Sequence, residues 1–137
     1  MASSSPRVLY LDASAIVKLV IRERETDQLI DYVGDAALVS SEISEVEVPR
    51  AAYLATGDGE TIARAETALR RFSFVALDED LRREAARMRP ADLRSLDAIH
   101  LASCLRLKTQ VDVVLVYDRK LSAALRANDL PVEAPGQ

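Results

Sequence analysis

Val8-Leu9-Tyr10-Leu11-Asp12 is an unbroken apolar run closed by an acid. The run has no polar position, so the strand it predicts, residues 7–12, is covered on both faces. Strands of that kind belong to parallel sheets with helices on either side. A carboxylate at the tip of a buried strand adds nothing to stability, because burial disfavours charge. In open α/β sheets, that rim is where ligands bind. Val113-Val114-Leu115-Val116-Tyr117-Asp118 repeats the pattern near the other end of the chain.

Between and around these runs, helix and strand alternate. Residues 14–21 predict a helix dense in apolar residues, and 23–33 a second helix with Leu29, Ile30 and Val33 inward. Gly34-Asp35 turns the chain into a short strand at 36–40. A helix is expected over 44–55. If Glu45 caps it, Pro49 forfeits only the first intrahelical bond; an earlier start implies a kink. Thr56-Gly57-Asp58-Gly59 breaks the chain before a helix at 61–71 and a strand at 72–77. Asp78 reads as the N-cap of 79–88, and Ser95 as the cap of 96–107. A strand at 112–117, a helix at 120–127 and an edge strand at 130–133 complete the series. Alternation of this kind predicts an α/β chain, a three-layer α/β/α sandwich on a mainly parallel sheet of about five strands. One domain over residues 1–137 is expected, with 1–6 a frayed N-terminus.

Two further acids stand in apolar surroundings: Glu47 in Ser44-Glu45-Val46-Glu47-Val48, and Asp97 in Leu96-Asp97-Ala98-Ile99-His100-Leu101-Ala102. Glu45 competes with Glu47; the two point different ways on a helix, and Glu47 shares a stripe with Ser44 and Ala51. If Asp12, Glu47, Asp97 and Asp118 converge, each pair of charges about 4 Å apart repels by roughly 4 kcal/mol at an effective dielectric near 20. Protons or a cation must answer that repulsion. Hard oxygen donors select Mg²⁺ or Mn²⁺. Zinc is disfavoured, since the chain owns one His and one Cys. A cation at such a site holds phosphate and activates water, so no nucleophilic side chain is needed; no Ser/His/Asp or Cys/His arrangement is evident. Each acid also has a plain structural alternative. Asp118 can cap the following helix, and Asp97 can be a first-turn acid favoured by the macrodipole.

The four segments resemble those of the PIN-domain ribonucleases, in particular the VapC toxins of toxin–antitoxin pairs. Leu11-Asp12-Ala13-Ser14-Ala15 is similar to the family's first motif. Ser44-Glu45-Val46-Glu47-Val48-Pro49-Arg50-Ala51 is similar to the second. Ser95-Leu96-Asp97-Ala98-Ile99-His100-Leu101-Ala102 resembles the third, and Val116-Tyr117-Asp118-Arg119-Lys120-Leu121 the fourth. The resemblance implies a PIN-like sandwich and Mg²⁺-dependent endonucleolytic cleavage of RNA, often tRNA or ribosomal RNA, with Mn²⁺ as substitute. It implies a homodimer and a cognate antitoxin. It also implies Asp12, Glu47, Asp97 and Asp118 as metal ligands and catalytic residues. Val116 departs from it: the family often has Thr or Ser there, and Ser14 is the hydroxyl that remains near an acid.

Composition bounds the partners. The net charge of −4 is unusual for a nucleic-acid binder. Against that, the basic residues are nearly all Arg, and Arg70, Arg71, Arg82, Arg83, Arg87, Arg89 and Arg94 crowd the middle of the chain. Either they meet phosphate or they form a solvated helical face. The single Cys, Cys104, forms no disulfide within the chain, which fits a cytoplasmic setting, and a buried thiol is expected. The start carries no signal-peptide pattern, and no apolar run approaches the about 20 residues of a bilayer span. His100 is expected to pack or hydrogen-bond, with proton transfer the alternative. Tyr10, Tyr32 and Tyr53 are candidates for stacking a base, and exposed apolar residues on the early helices for a protein contact. A phosphatase of the haloacid-dehalogenase type would need an acid where Ser14 stands. A response-regulator receiver would need paired early acids. A silent PIN-like module, acting through protein or RNA binding, is the remaining rival.

Overall fold

The computed structural model describes residues 6–137. The expected fraying of residues 1–6 therefore lies, Pro6 apart, outside the described residues. Strand β1 (Val8–Leu11) has β2 (Ala37–Ser41) on one side and β4 (Val113–Leu115) on the other. β3 (Phe72–Val75) extends the sheet beyond β2, and β5 (Val132–Glu133) extends it beyond β4. The order is β3-β2-β1-β4-β5, and every pairing is parallel.

Period-two alternation divides the core into two layers. Leu9 and Leu11 of β1 face the helices α1 (Ala13–Val20), α2 (Thr26–Val33), α3 (Ser44–Thr56) and α4 (Gly59–Leu69). Tyr10 faces the other way, toward α6 (Ser95–Arg106) and α7 (Arg119–Ala127), with α5 (Glu79–Ala86) packed beside α6. Leu9, Tyr10 and Leu11 are fully buried. Burying such a side chain is worth about 1.5–3 kcal/mol each. The chain walks outward from β1 to β3 with helices on the first face. It then returns past β1 to β4 and β5 with helices on the second. A walk that reverses direction must change face if all its crossovers share one hand. The reversal leaves a crevice between the carboxyl ends of β1 and β4.

Several boundaries differ from the sequence expectation for local reasons. α2 begins at Thr26, not 23, because the Thr26 hydroxyl is spent on the Lys18 carbonyl and the Glu23 amide, which shapes a loop there. α3 begins at Ser44 with Ile43 as its cap, so Pro49 falls in the second turn and offers no amide to the Glu45 carbonyl. α4 begins at Gly59 rather than 61. Gly57 ends α3 in the left-handed region (φ 63°), and the Asp58 side chain caps α4 through the Glu60 amide, so two residues suffice for the joint. α5 stops at Ala86. Ser95 is the first helical residue of α6, and Arg94, without a side-chain capping bond, holds the cap position. Among the described residues no helix is long and apolar enough to cross a membrane.

Candidate active site

Asp12 follows β1 directly and caps α1. Its Oδ1 accepts the Ala15 amide at 3.1 Å and the Ser14 hydroxyl at 2.8 Å. Both bonds fall on one oxygen, although the residue is only 4% exposed. No buried side-chain oxygen among the described residues lacks a partner, so Oδ2 is not sealed from solvent. Asp118 lies three residues beyond β4, after Val116 and Tyr117. Leu11 and Leu115 are register partners, which brings the two strand ends to one rim. Asp118 Oδ1 accepts the Leu121 amide at 2.8 Å, so the plain reading of this acid as a helix cap is correct. It is also incomplete, because Asp118 lines a cavity of ≈ 770 Å³ together with Glu47 and Asp97.

Glu47 and Asp97 arrive from opposite layers, each in the first turn of its helix. A buried hydroxyl pair places α3. Ser40 at the end of β2 donates to the Leu11 carbonyl at 2.6 Å and shares a 2.7 Å bond with Ser44, the first residue of α3. The start of the Glu47 helix is thereby tied to the peptide that precedes Asp12. Glu45 faces a different depression, beside Pro49 and Glu66, which separates it from Glu47. Asp12 is not among the residues lining the cavity. It stands behind it, within electrostatic reach of Glu47 and His100.

Two of these acids are shifted upward, chiefly by burial. Burial, above all, raises the Asp12 carboxyl above its ordinary value; His100, Ser14 and the Ala15 amide oppose the rise, and Glu47 adds to it. Burial also leads the upward shift of Asp97, followed by Asp118, with Glu47 adding and His100 and Arg94 opposing. Tyr117, on the cavity wall, is pushed up to about 12 by burial and then by Glu25, and its hydroxyl donates to the Pro135 carbonyl. It therefore stays a phenol at neutral pH and is no proton acceptor.

Among the described residues, no three His, Cys, Asp or Glu side chains close into a ready-made ligand cluster. The donors are nevertheless all hard oxygens; Asp12 and Asp118 each spend one oxygen on a helix-capping bond, and Glu47 spends one on His100. Mg²⁺ keeps several waters and is held by one or two carboxylates plus substrate phosphate. A roomy cleft of spaced carboxylates suits such an ion better than a dehydrated protein cage would. Arg94, Arg119 and Lys120 stand on the same walls and oppose the negative floor.

A family model described as "PIN domain" matches residues 9–126. The chain belongs to the PIN-domain family. Ribonuclease VapC35 of Mycobacterium tuberculosis is 35% identical over 135 residues, spanning 95% of this chain and 98% of that protein. Ribonuclease VapC46 of the same organism is 36% identical over 129 residues, spanning 93% and 97%. FitAcB from Neisseria gonorrhoeae superposes with a TM-score of 0.71 at 17% identity, covering 93% of this chain and 97% of the other. VapBC2 from Rickettsia felis, solved bound to a DNA fragment from its promoter, superposes with a TM-score of 0.68 at 10% identity. These two establish likeness of fold.

Other sequence expectations sort cleanly in this PIN domain. Val116 packs in the core layer of Tyr10 and Leu101 and supplies nothing to the cleft. The hydroxyl that reaches an acid is Ser14. Tyr10 is fully buried and cannot stack a base. The Tyr32 ring carries the Arg7 guanidinium, while Tyr53 is half-exposed on α3. Most of the central arginines take the plain role: Arg71, Arg82 and Arg87 bond backbone carbonyls, and Arg83 pairs with Glu79. Of that group only Arg94 lines the cleft. Cys104 is buried, and burial raises its thiol well above the ordinary value. The roles of Ser40, Arg119 and Lys120 are not evident in the sequence, because only the fold shows what they face.

Proposed function

We infer that this PIN domain is a Mg²⁺-dependent endoribonuclease, with Mn²⁺ as a substitute, and the toxin of a toxin–antitoxin pair working in the cytoplasm. One observation carries the reading. Acids from four separate segments surround the β1/β4 switch point of a chain whose curated relatives are ribonucleases of the VapC type.

Asp12, Glu47, Asp97 and Asp118 are the residues that would hold the ion and serve as the catalytic set. The bound ion supplies Lewis acidity toward the phosphoryl group and a water of lowered pKa. The remaining work falls to the chain. Arg94, Arg119 and Lys120 grip phosphates flanking the scissile bond, which draws a polyanion toward acids that would otherwise repel it. Tyr117 and Leu96 wall the cleft and hold its width. The substrate is RNA, with tRNA or ribosomal RNA the expected targets. The partners are a cognate antitoxin and a second copy of the chain.

The test is cleavage of total tRNA and rRNA by purified protein with Mn²⁺ or Mg²⁺, with and without chelator. Asp97→Asn is expected to reduce cleavage to background while the circular dichroism spectrum is retained. RNA that is bound but never cut, at any metal concentration, would instead identify a silent module. In cells, expression of the chain alone is expected to arrest growth, and co-expression of the neighbouring antitoxin to relieve it.

A further inference from the structure

His100 is the chain's only histidine and is 2% exposed. Both ring nitrogens are bonded: Nδ1 meets the Tyr10 hydroxyl at 2.7 Å, and Nε2 meets Glu47 Oε1 at 2.8 Å. An ionised carboxylate only accepts, so Nε2 carries the hydrogen. In the neutral ring Nδ1 then accepts, and the Tyr10 hydroxyl donates to it. A line of donors runs from the middle of the sheet, through the imidazole, to an acid in the cleft wall. Its inner end is fixed, because Tyr10 lies fully buried in β1 with its ring edge-on to the imidazole at 5.9 Å.

Glutamate is a long, rotamer-rich side chain, and a ligand that must be immobilised when its ion arrives binds that ion more weakly. The Ser40–Ser44 pair fixes the start of the Glu47 helix, but nothing in that pair fixes the carboxylate. We propose that His100, backed by Tyr10, is a positioning residue that holds Oε1 of Glu47 and so leaves Oε2 as the oxygen offered to the divalent cation. Here the donor goes to an acid of the cleft. The proposal rests on the metal reading above. It adds a residue that touches neither ion nor RNA yet sets how well the site binds.

The experiment measures Mn²⁺ affinity by calorimetry, together with kcat and KM on an RNA substrate. The proteins are the wild type, His100→Leu, His100→Gln and Tyr10→Phe. Loss of the donor in His100→Leu is expected to weaken Mn²⁺ by about 10–100-fold and to lower kcat with KM for RNA unchanged. His100→Gln restores an N–H of similar reach and is expected to recover most of the affinity. Tyr10→Phe, which keeps the core ring, is expected to fall between. Wild-type Mn²⁺ binding with unchanged affinity in folded His100→Leu and Tyr10→Phe overturns the proposal and leaves the metal reading standing. Gln performing no better than Leu, both folded, reduces His100 to packing. Should His100→Leu fail to fold, Tyr10→Phe decides. A wild type that binds no Mn²⁺ removes the metal reading and this proposal together.

Discussion

Asp12 serves two masters. As the cap of α1 it satisfies an amide that would otherwise be unpaired, and as a buried charge beside Glu47 it destabilises the fold. Substitution can separate the two roles. Asp12→Asn keeps a good cap and removes the charge; Asp12→Ala loses both, and the missing cap costs about 0.5–2 kcal/mol. Without divalent cation at pH 7, Asp12→Asn is therefore expected to melt above the wild type and Asp12→Ala below Asp12→Asn. The pH dependence has a definite sign. The Asp12 carboxyl is raised in the folded state from its reference of 3.8, so the folded chain binds that proton more tightly than the unfolded chain. The carboxyl's destabilising contribution is full above the raised value and vanishes below the reference. The advantage of Asp12→Asn should thus shrink as melting curves are recorded at progressively lower pH. An advantage that widens in acid would contradict the shift.

At the scale of elements, the α3–α4 joint gives a clean test of local structure. Gly57 has φ 63°, and a Cβ there would meet nothing within 4 Å, so only backbone strain opposes substitution. Gly57→Ala should cost about 1–2 kcal/mol in denaturant unfolding and leave cleavage intact, since the joint lies away from the cleft. The same joint marks where sequence reading reached its limit. Gly57 and Asp58 announce a break, but not that one residue ends a helix and the next begins another. The central strands were legible because β1 and β4 are apolar at every position; an acid follows β1 directly, and β4 after Val116 and Tyr117. Helix starts were less so. Arg94, not Ser95, caps α6, because the cap is set by where the preceding loop delivers the chain. Asp12, Asp97 and Asp118 were legible as candidate site acids because they break apolar runs, and Glu47 less directly, through its stripe with Ser44. What joins them was not legible: Ser40, Tyr10 and His100 act through contacts between segments far apart in sequence, and no spacing rule reports those.

Across the whole molecule, a net charge of −4 and the upward shift of Asp97, led by burial and then by Asp118, make linkage between folding and ion binding an expectation of the proposed function. Mg²⁺ at about 100 times its dissociation constant should add about 2.7 kcal/mol to the stability of the wild type. Calorimetric melting with and without Mg²⁺ measures this, and the gain should be smaller for Asp97→Asn. A flat response in the wild type would remove the cation from the site. The sheet order carries a separate consequence. β3-β2-β1 comes from the first part of the chain and β4-β5 from the last, and they meet along one seam. Asp12 and Glu47 belong to the first part, Asp97 and Asp118 to the last. Neither portion alone owns a complete set of acids. On the proposed reading of these four acids, the emerging polypeptide carries no finished cutting centre until its C-terminal strands dock.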